Sequence, residues 1–168
     1  VPMAISEEEI ARIIEAVRET RNVYMMGETS YYNPATVYAR NQHEAGRFGR
    51  VFYTEGDYVH DMDLGFYDAY QYSGGDRWKE TASYPPMLYP THCTAHLVTV
   101  TGERLTEVAC HGWGDDDPIL KDNVYKNPFW NETALFKTDR GNSMRVAVWW
   151  RGAQTGGERA RFYGDKMS

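Results

Sequence analysis

The 168-residue sequence lacks a long apolar run and an excess of basic charge. A comparatively apolar stretch, Ala95 to Val100, is interrupted by His96 and Thr99, whereas a membrane-spanning helix needs about 20 apolar residues. The net charge of −6 does not suit a nucleic-acid partner, which would need a basic surface to neutralise phosphates. We therefore expect a globular protein that binds neither a membrane nor nucleic acid. We expect a cytoplasmic location, although any signal sequence would lie before Val1.

Cysteine is also scarce, because Cys93 and Cys110 are the only two in the chain. Two cysteines do not make a disulfide framework, and a chain of this length does not need one. We expect both thiols to be reduced. Cys110 lies in an apolar stretch and is expected in the core, and Cys93 is expected near the site because it follows a candidate catalytic histidine.

Several catalytic motifs are missing. The sequence contains no GxGxxG loop, no Walker loop and no GxSxG elbow, so the chain by itself is not expected to hold a dinucleotide in the usual way. A serine hydrolase is equally unsupported. His92 and His96 share a helix face, and Asp115 to Asp117 form an acidic run, but neither has a metal-ligand spacing. We expect no metal site.

Local signals predict an alternation of helices and strands. Ser6 and Glu9 form a capping box ahead of an apolar stripe at helical spacing, made of Ile10, Ile13, Ile14 and Val17. Asn33 and Pro34 begin a second helix that ends near Ala45. The other predicted elements are a strand over 23–28, a strand over 51–60, an irregular segment over 61–88, a helix over 91–101 that ends at Gly102, and strands over 105–111, 131–138, 143–151 and 158–163.

These elements predict one α+β domain over residues 1–168, with a broad, mostly antiparallel β-sheet and helices packed on one face. The segment 139–142 is expected to be a tight hairpin. The opposite sheet face alternates polar and aromatic residues, namely Arg145, Ala147, Trp149 and Arg151. An exposed face of this kind predicts a homo-oligomer.

Aromatic residues are abundant, with thirteen tyrosines and five tryptophans. One interpretation is structural, because aromatic side chains favour strands. The other is a carbohydrate cleft, where ring faces contact the apolar faces of sugars.

The segment from Leu88 to His92 carries the most chemistry. It follows a loop and begins a helix, whose N-terminus favours developing negative charge. Tyr89 and His92 would form an acid–base pair, since imidazole exchanges a proton near neutral pH and the phenol can donate one. The alternative is that Tyr89 is a packing residue and His92 a helix cap.

The chain resembles the C-terminal portion of the Gfo/Idh/MocA oxidoreductases. The matching segments, in the family's order, are Val1-Pro2-Met3-Ala4, Ser6-Glu7-Glu8-Glu9, Gly46 to Val51, Thr133 to Trp150, and Phe162 to Lys166. The resemblance implies a substrate-binding catalytic domain whose dinucleotide-binding Rossmann domain would lie before Val1. NAD or NADP would be bound mainly by that missing domain, and the fragment would be inactive alone.

Two departures qualify the resemblance. Val1 stands where the dehydrogenases have lysine, and Leu88 stands where they have an aspartate four residues before the histidine. The NAD-dependent α-N-acetylgalactosaminidase branch of the family shares both departures. Tyr89-Pro90-Thr91-His92 matches the motif of that branch, and Tyr32 falls at a site tyrosine. The residues that follow His92 differ from the branch.

The resemblance implies three candidate functions. The first is an oxidoreductase acting on a sugar or cyclitol, with His92 taking the hydroxyl proton. The second is a redox-neutral glycosidase that oxidises the sugar, eliminates the substituent with Tyr89 as base, adds water and returns the hydride. The third is a non-catalytic oligomerisation scaffold. We favour the oxidoreductase, with Tyr89 and His92 as catalytic residues. The expected substrate or cofactor pocket residues are Tyr32, His60, Trp78 and His96.

Overall fold

The structure is a computed structural model of the chain. It describes residues 2–78, 85–114, 116, 123–152 and 156–168. This part of the chain contains four α-helices, which we number α1 (Glu7–Thr20), α2 (Pro34–Glu44), α3 (Phe66–Gly74) and α4 (Thr91–Thr101). Its strands are β1 (Val51–Val59), β2 (Leu105–Trp113), β3 (Asn131–Thr138), β4 (Ser143–Trp149) and β5 (Gly157–Gly164). Short 3-10 turns cover Thr29–Tyr32, Met62–Leu64, Gly75–Arg77 and Pro86–Leu88.

The helix ends follow their predicted caps. Ser6 Oγ accepts the Glu9 backbone N–H at 3.2 Å, and Glu9 in turn accepts the N–H of Ile5. Asn33 Oδ1 accepts the Ala35 N–H at 2.9 Å at the start of α2. Helix α4 ends at Gly102, whose φ of 69° is the left-handed conformation that glycine adopts without strain. None of the residues of α1 is fully buried among the described residues, so its apolar stripe remains at least partly exposed.

Two predicted segments differ in the structure. Residues 23–28 do not form a strand, because no described strand pairs with them, and they lead without regular structure into the 3-10 turn Thr29–Tyr32. Residues 61–88 are not wholly irregular, since they contain the nine-residue helix α3. The aromatic residues of α3 favour strands, so the sequence pattern does not indicate so short a helix. Residues 79–84 of this segment lie outside the described ranges.

The five strands form one sheet in the order β2-β3-β4-β1-β5. Only the β1–β4 pair is parallel among the described strands, so the sheet is mostly antiparallel as predicted. The hairpin at 139–142 is confirmed: the Thr138 N–H donates to the Asn142 carbonyl at 2.9 Å, and Gly141 adopts φ 81°.

Helix α4 covers one face of the sheet over β1, β4 and β5, and α2 packs against α4. The core beneath α4 is built around fully buried side chains, the largest being Trp130, Trp150, Met62, Leu97, Met144, Val146 and Val148. Cys93 belongs to this core, whereas Cys110 is exposed. The core prediction for Cys110 is wrong because β2 is an edge strand that no described helix covers. No described helix is long and apolar enough to cross a membrane.

The opposite sheet face carries the predicted mixture of polar and aromatic side chains. Arg145 pairs with Asp57 at 2.8 Å, and Trp149 packs edge-on against Trp113. Leu135 lies opposite Arg145 in the register and is 52% exposed. This face therefore combines paired charges with uncovered apolar surface.

Candidate active site

The centre of the candidate site is a histidine–carboxylate pair formed by His92 and Glu28. His92 lies in the first turn of α4, and Glu28 caps the 3-10 turn Thr29–Tyr32. Nδ1 of His92 lies 2.7 Å from Oε1 of Glu28, and the two residues are only 7% and 5% exposed. The same carboxylate oxygen accepts the Ser30 backbone N–H at 2.9 Å, which holds Glu28 in place. Charge-assisted hydrogen bonds of this length are among the stronger ones in proteins.

Glu28 is ionised in this environment. Burial alone would raise the pKa of its carboxyl group, but hydrogen bonds from His92, the Ser30 amide and Thr91 outweigh burial and hold the pKa well below its usual range. An ionised carboxylate only accepts hydrogen bonds. Glu28 therefore acts as a fixed acceptor behind the imidazole.

A second carboxylate, Glu158 of β5, reaches the same ring. The Ser30 hydroxyl donates to Glu158 Oε2 at 2.6 Å and lies 3.2 Å from Nδ1 of His92. Glu158 Oε1 itself is 3.8 Å from Nδ1. Two acidic side chains from distant parts of the sequence thus surround one edge of the imidazole, linked by a serine.

An aromatic cluster lies against the ring of His92, with Tyr58 at its centre. The Tyr58 ring centroid lies 4.6 Å from those of His60 and His92 and 5.6 Å from that of Tyr89. Tyr89 and His92 are 5.0 Å apart in edge-on geometry. Trp150 closes the cluster beneath Tyr58 and stacks on His60. The structure thus brings three predicted site residues together: Tyr89, His92 and His60.

The phenols of this cluster are held in their protonated form. Burial raises the pKa of Tyr58 well above its ordinary value and that of Tyr70 to about 12. The pKa of Tyr89 is raised by burial and by the negative charges of Glu28 and Glu158. Burial lowers the pKa of His60, with the charge of His92 adding to the effect. Tyr89 is therefore better suited to donate a hydrogen bond than to remove a proton.

Tyr32 lies in a neighbouring cleft and is 65% exposed. The cleft holds about 380 Å³ between the 26–32 segment and α4, and Met26, Tyr31 and Thr91 are among its lining residues. Glu28 is shared between this cleft and the His92 site. Tyr32 therefore lines a cleft that adjoins the His92 site through Glu28.

The other two predicted pocket residues lie elsewhere. His96 is buried, its Nδ1 is 2.9 Å from Thr36 Oγ1, and it lines a separate cavity of about 660 Å³ between α2 and β5. Burial lowers the pKa of His96, which favours its neutral form. Trp78 is buried in the core with Met62 and Trp150. Trp78 therefore supports the site from the core instead of forming an open wall.

Sequence reasoning missed Glu28, Ser30 and Glu158. An available signal for Glu28 was an acidic residue following an apolar segment and preceding two hydroxyl residues, Thr29 and Ser30. Glu158 gives no comparable local signal. Within the described ranges, no group of three histidine, cysteine or acidic side chains is arranged to hold a metal ion.

Comparison with solved structures identifies the fold. The chain matches myo-inositol 2-dehydrogenase from Lactobacillus plantarum with a TM-score of 0.77 and 14% identity, covering 98% of this chain and 47% of that one. It also matches scyllo-inositol dehydrogenase from Lactobacillus casei with bound NAD(H) and scyllo-inositol, with a TM-score of 0.72, 12% identity and coverage of 97% and 46%. The chain thus has the predicted fold, that of the C-terminal domain of Gfo/Idh/MocA oxidoreductases.

Sequence comparison points to one branch of that class. The chain is 26% identical over 167 residues to an alpha-N-acetylgalactosaminidase from Bacteroides fragilis, covering 87% of this chain and 39% of the relative. It is 30% identical over 171 residues to glycosyl hydrolase family 109 protein 1 from Akkermansia muciniphila, covering 87% and 34%. No protein-family model matches. The predicted resemblance to the Gfo/Idh/MocA class and its glycosidase branch is confirmed. The chain spans well under half the length of these curated relatives.

Proposed function

We propose that this chain is the substrate-binding, catalytic domain of an NAD(P)-dependent oxidoreductase that acts on a sugar or cyclitol. The observation that carries the proposal is the buried Glu28–His92 pair, beside which Tyr58 and Tyr89 form an aromatic wall. A histidine backed by a carboxylate suits removal of a hydroxyl proton near neutral pH. Inositol dehydrogenases of the same fold, one with bound NAD(H), support the assignment.

In this reaction the substrate hydroxyl donates its proton to Nε2 of His92 as the carbon that bears it is oxidised. Glu28 stabilises the imidazolium that forms, since its carboxylate accepts a hydrogen bond from Nδ1–H throughout. Tyr89, kept protonated by its surroundings, donates a hydrogen bond to the same or a neighbouring substrate oxygen. The rings of Tyr58 and Tyr89 contact the apolar face of the substrate.

The residues present fit the reactive end of a nicotinamide cofactor. The Tyr32 cleft is lined by Met26, Tyr31 and Tyr32 and lies beside Thr91, directly before His92. These side chains would hold a flat ring next to the proposed base, and the phosphates would be held outside these 168 residues, which carry no glycine-rich loop. The nicotinamide, when bound, supplies the electron acceptor for the substrate carbon. NAD or NADP would serve equally at this end.

The second candidate is a redox-neutral glycosidase. The Tyr89-Pro90-Thr91-His92 motif and the similarity to an alpha-N-acetylgalactosaminidase favour it. In this reaction oxidation would acidify a neighbouring C–H bond, and Tyr89 would remove that proton as the glycosidic substituent leaves. The raised pKa of Tyr89 opposes this role, so substrate binding would have to lower it. The third candidate is a non-catalytic scaffold, and that function would not require the buried Glu28–His92 pair.

A substrate panel on the full-length protein separates these functions. Sugars, cyclitols and aryl glycosides would be supplied with and without NAD or NADP, while reduced nicotinamide and released aglycone are followed together. Net reduction of the cofactor by a free sugar or cyclitol supports the dehydrogenase. Aglycone release without net reduction supports the glycosidase, and neither signal with any substrate supports the scaffold. The 168-residue chain alone is expected to be inactive.

We also propose that a second copy of the chain covers the sheet face opposite α4, which we call the open sheet face. That face carries charges of both signs, with Arg145 paired to Asp57, beside exposed Leu135 and Trp113. A surface that is both mixed in charge and partly apolar can be self-complementary across a two-fold axis.

A further inference from the structure

We infer that Glu28 is a positioning residue that fixes the tautomer of His92, with the proton on Nδ1 and the lone pair on Nε2. The inference rests on the proposed function only in giving this lone pair a use. The tautomer itself is a property of the chain and is measured without substrate or cofactor.

The two neighbours of Nδ1 each require a proton there. Glu28 Oε1, at 2.7 Å, belongs to an ionised carboxylate and has no proton to give. Ser30 Oγ, at 3.2 Å, has one hydroxyl proton, and that proton is donated to Glu158 Oε2 at 2.6 Å. Ser30 therefore offers only lone pairs toward the ring. With no donor beside it, Nδ1 must itself carry a proton.

The opposite ring nitrogen has the reverse environment. Among the described residues, none forms a hydrogen bond with Nε2 of His92, and all polar contacts of this side chain are at Nδ1. The rings of Tyr58 and Tyr89 flank the imidazole edge-on. Since a neutral imidazole has one protonated and one free nitrogen, Nε2 keeps its lone pair for an incoming hydroxyl.

The tautomer depends on an acceptor at the position of Glu28 Oε1. Glu28 is held by the Ser30 backbone N–H and the Ser30-Glu158 pair closes the other approach, so the ring cannot rotate without losing a buried hydrogen bond. Oε1 accepts both the Ser30 N–H and the Nδ1–H, and the amide oxygen of a glutamine would accept both in the same way. A leucine at position 28 supplies no acceptor, so Nδ1 would lose the partner that holds its proton.

Several charged or titratable groups face the ring of His92. These groups are Glu28 from the 26–32 segment, Tyr58 and His60 from β1 and its end, Tyr89 before α4, and Glu158 from β5. The experiment must therefore observe the ring nitrogens of His92 directly.

Long-range proton–nitrogen NMR of the 15N-labelled chain reports which imidazole nitrogen carries the proton. The His92 signals are assigned by their loss in His92→Gln. At a pH where the ring is neutral, we expect the wild-type ring to carry its proton on Nδ1. In Glu28→Leu, which removes the acceptor, we expect the signal to shift to the other tautomer or to a mixture, and in Glu28→Gln, whose amide oxygen can still accept, to stay mainly with Nδ1. A wild-type ring with its proton on Nε2 overturns the inference, whether or not any variant folds.

A matched control separates positioning from general loss of a buried carboxylate. Glu103 is also buried, 4% exposed, and hydrogen-bonded to Asn142 away from His92. Glu103→Leu is expected to leave the tautomer of His92 unchanged. An unchanged tautomer in a folded Glu28→Leu chain would contradict the inference, as would an equal change in Glu103→Leu. Neither result bears on the substrate panel, so failure of the inference and failure of the proposed function are distinguishable.

Discussion

A Cβ atom added to Gly56 would lie 2.9 Å from the carbonyl oxygen of Cys93, so β1 and α4 touch along their backbones. This contact is possible only because residue 56 has no side chain. It sets the depth at which α4 lies on the sheet. Because His92 precedes Cys93 directly and Tyr58 lies two residues after Gly56, the same contact brings His92 against Tyr58.

Gly56→Ala is expected to destabilise the chain by about 1–3 kcal/mol, as overpacking against a rigid backbone does. Equilibrium urea unfolding measures this loss. Gly27→Ala is the matched control, because an added Cβ there meets nothing within 4 Å and should change stability by no more than about 0.5 kcal/mol. Equal effects of the two substitutions would contradict the close packing of α4 on β1.

Tyr89→Phe distinguishes the two proposed roles of this phenol in the full-length protein. As a hydrogen-bond donor to the substrate, Tyr89 should contribute to oxidation itself, and its loss should slow reduced-nicotinamide formation. As the base of an elimination, its loss should slow aglycone release by about 10²–10⁴-fold while transient oxidation continues. Single-turnover absorbance and aglycone release, recorded together, measure both steps. No change in either step would remove Tyr89 from the mechanism.

The Glu28–His92 pair should make stability depend on acidity. The pKa of Glu28 is lowered in the folded chain from an ordinary value of 4.5, so the folded state favours the ionised form. The stabilisation is therefore fully present above about pH 5 and is lost as the pH falls through 4.5 toward the lower folded-state pKa. Thermal unfolding of wild type and Glu28→Gln between neutral and acidic pH should show a difference that narrows on acidification. If the difference in thermal stability between wild type and Glu28→Gln instead widens below pH 4.5, the prediction is contradicted.

Leu135→Glu tests the proposed contact between copies of the chain. A charge placed at this exposed apolar position on the open sheet face should weaken self-association, since it would be buried without a partner. Light scattering across a concentration series measures the oligomeric state. Tyr72→Glu, at a 94% exposed position on α3 away from that face, is the control and should have no effect. A wild-type chain that stays monomeric at all concentrations would contradict the contact.

Local signals predicted the parts of the fold that local chemistry decides. The caps at Ser6 and Asn33 and the glycine stop at Gly102 each depend on a few neighbouring residues, and all three are found where the sequence places them. The prediction of a strand over 23–28 was wrong for a related reason. Its composition suits a strand, but a strand also needs a partner edge, and that depends on the rest of the fold.

The candidate site was only half predictable. Tyr89 and His92 are neighbours in sequence and lie in a recognisable motif, so their proximity follows directly. Glu28 and His92 are 64 positions apart, and the packing of the 3-10 turn Thr29–Tyr32 against α4 brings them together. Trp78 could not be placed from the sequence, because an aromatic residue in a predicted loop is equally consistent with a pocket wall and with the core. In the structure Trp78 lies in the core.

The central claim is that His92 takes the hydroxyl proton as a sugar or cyclitol is oxidised. The most direct test is stopped-flow nicotinamide absorbance on the full-length protein, comparing wild type with His92→Gln across the substrate panel. We predict a burst of reduced nicotinamide in wild type with at least one substrate, and loss of that burst in a folded His92→Gln variant. A burst of equal rate and size in His92→Gln, or no burst with any substrate in wild type, would contradict the claim.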